Sequence, residues 1–120
     1  MRKRQVKNLL DMVPVQRHPY RTREDGTVDI IIPRYGDNII GRVLSRFLKE
    51  APIQVHLDRI GTRTWLLCDG RKTIHEIGQH LHREFESEVE PVYERLELFF
   101  RHMDRQRLIS WRSDDPRSNS

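Results

Sequence analysis

The chain has a single cysteine, Cys68, among its 120 residues. An intrachain disulfide is thereby excluded, and a lone thiol fits a reducing compartment, so a cytoplasmic location is expected. Between Leu67 and Asp69, Cys68 reads as a core thiol and not a reactive one. There is no C-x-x-C pair, and the six histidines do not replace one. His75 and His82 share a helix face at seven-residue spacing, but His80 falls on another, so no structural zinc is expected. No run approaches the ~18 apolar residues of a membrane-spanning helix. No apolar segment follows the basic start, so a secretory signal is not expected either. A glycine-rich phosphate loop, a G-x-S-x-G elbow and an H-E-x-x-H helix are all missing. The carboxylates form runs instead of an isolated pair in an apolar setting. These gaps point away from an enzyme and from any cofactor.

Charge is what the sequence has in quantity, and it is unevenly placed. Overall the net charge is +4. Residues 1–23 carry seven basic and one acidic side chain, a net of +6. Residues 24–111 carry 13 basic and 15 acidic side chains, a net of −2, and the remaining tail is balanced at two of each. The basicity belongs to the N-terminal end. Such an arm suits nucleic acid, an anionic membrane or an acidic partner, or is simply a solvated terminus.

Leu57 to Phe85 is the most informative stretch. Asp58 is a good N-cap, because its carboxylate accepts from an orphan backbone N–H. Ile60, Thr64, Leu67 and Cys68 then recur at helical spacing. Asp69-Gly70 stops that first helix, since glycine tolerates the left-handed conformation of a helix end. Thr73 and Glu76 form a capping box that opens a second helix, whose apolar face is Ile74, Ile77, Leu81 and Phe85. Pro91 suits the first turn of a third helix running to about Gln106. Its stripe is Val92, Leu96, Phe99, Phe100 and Met103. Leu108 and Ile109 then return to the body.

Before these helices, Val15 to Arg23 and Thr27 to Pro33 read as a β-hairpin around Glu24-Asp25-Gly26. Val28, Ile30 and Ile32 share one face, and Ile31 points to an opposite face that is partly covered. Pro19 marks the first strand as an edge. Leu9, Leu10, Met12 and Val13 form a small apolar cluster that docks ahead of Pro14. Residues 36–51 read as an amphipathic helix built on Ile39, Ile40, Val43, Leu44, Phe47 and Leu48, packed on the domain or lying on a membrane surface. Pro52 to Leu57 is a third strand, with Ile53, Val55 and Leu57 on one face and Gln54 and His56 on the other. It lacks the lysines, glutamates and internal prolines that guard an exposed edge. That edge is either covered by the chain or kept for a partner.

Leu57-Asp58, Gly61, Trp65, Cys68-Asp69-Gly70, Thr73, Glu76-Ile77, Leu81 and Phe85 together resemble the PqqD family. The resemblance extends from about Ile53 to Trp111. It implies an α+β, winged-helix-like domain over residues 15–111: three N-terminal strands, then three helices. The helix at 36–51 would be an insert between the second and third strands, where the family's connection is shorter. A basic, partly disordered arm (residues 1–14) and a disordered tail (112–120) flank the domain. The resemblance further implies a domain without catalytic residues that binds the leader of a precursor peptide by strand addition. The domain presents that peptide to a modifying enzyme, often of the radical-SAM type. Carried onto this sequence, the peptide contacts come from Ile53, Gln54, Val55, His56 and Leu57. Arg95, Leu98, Phe99 and His102, assigned by helix position, face them from the third helix.

A winged-helix DNA-binding regulator is the alternative. Its recognition helix would be the third, whose start carries Glu88, Glu90, Glu94 and Glu97. These carboxylates would face a polyanion whose phosphates dominate affinity, so nucleic acid is the less favoured partner.

Overall fold

The computed structural model describes residues 8–33, 43 and 52–112. The basic start, most of the amphipathic segment at 36–51 and the polar end lie outside the described residues. The described chain is α+β, with three α-helices and two small sheets. In chain order these are β1 (Pro14–Gln16), β2 (Tyr20–Thr22), β3 (Val28–Ile32), β4 (Ile53–His56), α1 (Arg59–Leu66), α2 (Ile74–Phe85), α3 (Val92–Arg105) and β5 (Ile109–Trp111). Short 3-10 turns at Leu9–Asp11 and Glu86–Val89 precede β1 and link α2 to α3.

The strand count differs from the sequence expectation. Val15 to Arg23 is not one strand. Its first part, β1, pairs antiparallel with β5, and its second, β2, pairs with β3. The break falls at Arg17-His18-Pro19, where proline withholds a ladder donor. Among the described residues four strands therefore precede α1, and a fifth follows α3. The chain separates into two compact units, residues 1–17 with 63–120, and residues 18–62.

In the unit formed by residues 1–17 and 63–120, α2 and α3 pack on each other and the Leu9–Asp11 turn docks on both. Trp65, Ile74, Ile77, Leu81, Val92, Leu96, Phe100 and Met103 are all buried. Each large apolar side chain so removed from water is worth about 1.5–3 kcal/mol before conformational entropy is counted. The capping box forms in full. Thr73 Oγ1 accepts from Glu76 N at 3.1 Å, and Glu76 Oε1 accepts from Thr73 N at 2.8 Å. Gly70 has φ +79°, the left-handed conformation that ends the first helical segment. Cys68 is buried, with Sγ 3.3 Å from the Thr64 carbonyl. Burial, aided by the Asp69 charge, pushes its thiol pKa far up, so the thiolate is suppressed. Pro91 does not lie within the first turn of α3. It is the N-cap, in an extended conformation (φ −80°, ψ 113°), and Val92 opens the helix. At the far end Leu108 N donates to Met103 O and Arg107 N to Asp104 O, closing the helix with Arg107 at φ +60°.

Gly78, in the middle of α2, lets the Tyr93 ring approach: a Cβ there would lie 2.4 Å from Tyr93 Cε1. That ring stacks on His75 with centroids 5.2 Å apart.

In the unit of residues 18–62, β2, β3 and β4 form a three-stranded antiparallel sheet with β3 in the middle. Val28 and Ile30 are fully buried on one face and Leu57 nearly so. The start of α1 is tied to this sheet by Thr62 Oγ1, which accepts from Val28 N at 3.0 Å. Asp58 caps α1 as its sequence position suggested, accepting from Gly61 N at 2.7 Å. A side chain at 61 would crowd this bond, since a Cβ there would sit 3.0 Å from Asp58 Oδ1.

Candidate functional site

The register of the three-stranded sheet settles which way each peptide group of β4 points. Asp29 pairs with His56, Ile30 with Val55, Ile31 with Gln54 and Ile32 with Ile53. Leu57 N donates to Val28 O, so the 28–57 pair is hydrogen-bonded. Hydrogen-bonded and non-bonded pairs alternate along an antiparallel ladder. Ile53, Val55 and Leu57 therefore direct N–H and C=O toward β3, while Gln54 and His56 direct theirs away from it. The neighbouring ladder agrees: Ile31 N donates to Pro19 O, on the β2 side, at 2.9 Å. Among the described residues no strand pairs with β4 on its other side. Among the described residues this edge thus offers two donors and two acceptors, at Gln54 and His56.

The side chains divide by the same alternation. Val55 is half-buried and Leu57 buried on the apolar face, where Ile53 remains 43% exposed at the edge. On the opposite face Gln54 and His56 are exposed. This polar face holds a group that sequence reading did not select. Asp29 pairs across the strands with both Arg21 and His56, and its side chain is only 1% exposed. Its Oδ2 lies 2.9 Å from Arg23 Nη1, and its Oδ1 lies 2.9 Å from His56 Nδ1. The bond from the His56 ring, followed by those from Arg23, holds the Asp29 carboxyl below the usual range, against the opposing effect of desolvation. His56 is thereby oriented, and not simply a solvent-facing strand residue. The hairpin turn at Asp25-Gly26 was the available signal, because it sets Arg21 and Arg23 on the same face as Asp29.

On α3 the residues chosen by position recur at helical spacing and share one face. Leu98 is 71% exposed, an unusual degree for a leucine on a packed helix. Phe99 is half-buried, edge-on to Phe100 with centroids 5.2 Å apart. Arg95 is exposed and its Nη1 donates to Glu88 O at 2.9 Å, so it is anchored back onto the preceding turn. His102 is exposed. The strand residues belong to one unit and these helix residues to the other. Two open depressions of about 410 and 590 Å³ border Tyr93 and contain none of the selected residues.

Among the described residues no three His, Cys, Asp or Glu side chains gather to hold a metal ion. His82 pairs with Glu90. Among the same residues no helix is long and apolar enough to cross a membrane.

The chain belongs to the PqqD family: the model of Coenzyme PQQ synthesis protein D matches residues 40–109. That family comprises non-catalytic peptide chaperones that assist the modification of ribosomally made peptides. Comparison with curated proteins and with solved structures finds no match.

Proposed function

We propose that this protein binds the leader of a precursor peptide as an added strand on β4 and presents it to a modifying enzyme of the radical-SAM type. The observation that carries this reading is the outward pair of peptide groups at Gln54 and His56 on an edge with no paired strand among the described residues. Strand addition draws affinity from such backbone bonds and selectivity from alternate side chains. Ile53 and Val55 supply apolar surface for one set of those side chains. In this reading residues 15–111 act as one winged-helix-like binding domain, and Arg95, Leu98, Phe99 and His102 are further peptide contacts. The 71% exposed Leu98 supports that role, since a large apolar group left in water is a natural contact for a partner. The protein supplies position and not catalysis, and it works in the cytoplasm beside its enzyme.

Proline substitution tests the reading, with a peptide selected on the full-length protein from a displayed random library as probe. Gln54→Pro and His56→Pro each remove an outward N–H and should abolish binding with a small loss of stability. Val55→Pro removes an N–H bonded to β3 and should damage the fold itself. Peptides that bind Gln54→Pro and His56→Pro as tightly as the unaltered protein would refute strand addition on this edge.

A further inference from the structure

Among the described residues, the polar face of the β2-β3-β4 sheet carries an exposed arginine close to the outer edge of β4. Asp29 has both oxygens engaged, one by Arg23 and the other by His56. Arg21 is left with a longer approach to it, Nη2 to Oδ2 at 3.9 Å. Its Nη2 donates instead to the neutral amide oxygen of Gln54, at 3.2 Å. Arg21 is rooted on β2, whereas Gln54 is on β4. To reach it the arginine side chain crosses over β3 and ends above β4. Its side chain remains 64% exposed. The guanidinium therefore stands about one strand spacing, roughly 4.8 Å, from any strand added at this edge. Arg23 and His56 are shared between Asp29 and the nearby Asp25 carboxylate, which leaves Arg21 as the exposed cation closest to β4.

The register then fixes which residue of an incoming strand meets Arg21. Gln54 turns its peptide group outward, so the residue opposite it would share its face, with Cα atoms about 5.5 Å apart in antiparallel addition. The residues on either side would turn to the other face, where Ile53 and Val55 present apolar surface. We propose that the edge selects an extended peptide segment of the form apolar–acidic–apolar, its Asp or Glu placed opposite Gln54 and paired with Arg21. The inference rests on the strand-addition reading and adds the chemistry of the ligand to it.

Arg21 cannot be replaced by an arbitrary cation geometry here. Its planar fork serves the Gln54 amide and an incoming carboxylate at once, while a lysine offers a single point charge. Cross-strand pairs of opposite charge at exposed sites contribute modestly, so the expected discrimination is about two- to fivefold per acidic residue.

The test selects ten-residue random peptides displayed against the full-length protein, then measures synthetic versions of those recovered. The expected peptides carry an Asp or Glu flanked by apolar residues and stop binding to Gln54→Pro. Changing that acidic residue to its amide should weaken binding about two- to fivefold. In Arg21→Gln the same change should have no effect, and in Arg21→Lys an intermediate one. Raising the salt concentration should shrink the difference. Peptides that depend on the Gln54 edge but show no acidic preference, or whose preference persists in Arg21→Gln, would overturn this inference and leave strand addition standing. Peptides indifferent to Gln54→Pro would overturn both.

Discussion

Gly78→Ala offers a sharp test of how α2 and α3 meet. In an isolated helix the change should stabilise by about 1 kcal/mol, because glycine has the greater backbone entropy to lose. Here the new Cβ would lie 2.4 Å from Tyr93 Cε1, 3.0 Å from Cδ1 and 3.1 Å from Cζ. Those are ring atoms along one edge, not the end of a flexible chain. The ring is also held, by stacking on His75 at 16° between planes. Relieving the overlap requires Tyr93 to swing off His75 or α3 to move away from α2. Overpacking of this kind costs about 1–3 kcal/mol, which outweighs the propensity gain, so a net loss of about 1 kcal/mol is expected. For a domain near 100 residues that lowers Tm by roughly 4–8 °C. The control is Tyr93→Ala, which opens the space. In that background Gly78→Ala should reverse sign and stabilise by about 0.5–1 kcal/mol. Urea melts of the four proteins give the cycle. If Gly78→Ala stabilises the unaltered protein, the two helices do not pack as described.

Trp65 is fully buried, and its indole Nε1 has no hydrogen-bond partner among the described residues. Trp65→Ala should cost about 3–5 kcal/mol. Trp65→Phe should cost less than half as much, since it also removes an unsatisfied donor whose burial is worth about 1–3 kcal/mol; equal losses by denaturant titration would contradict that. For Asp29, the folded carboxyl is held below its ordinary pKa, chiefly by His56. Its contribution to stability should therefore be complete above the unfolded carboxylate range, near pH 4. It should fade as pH falls through the lower folded value. Asp29→Asn should flatten the acid limb of the stability profile below about pH 4, and an unchanged limb would show that the carboxylate is not held as described.

Local chemistry made much of the fold legible in the sequence. The Thr73–Glu76 capping box, the Asp58 cap, the Asp69-Gly70 stop and the apolar face of α2 depend on residues a few positions apart. Periodicity and hydrogen-bonding capacity define such features without knowledge of the rest of the chain. The division of the first strand was not legible in this way. Val15 pairs with Ser110, and a partner so distant leaves no periodic trace at either end. The third helix was placed nearly correctly, but Tyr93 was overlooked because its role depends on a missing side chain at Gly78 in another helix. The third strand of the sequence reading, Pro52 to Leu57, appears as β4 over Ile53–His56, because its apolar alternation is local. Asp29 was not legible, since a buried carboxylate reveals itself only when the register brings Arg23 and His56 to it.

Residue-resolved hydrogen exchange along β4 tests the central claim most directly. In the free protein the amides of Ile53, Val55 and Leu57 should be protected by β3, while those of Gln54 and His56 exchange rapidly. Saturation with a library-selected peptide should slow Gln54 and His56 and leave the other three as they were. Protection of Gln54 and His56 in the free protein, equal to that of their neighbours, would mean that the edge is already paired and that no peptide strand is added there.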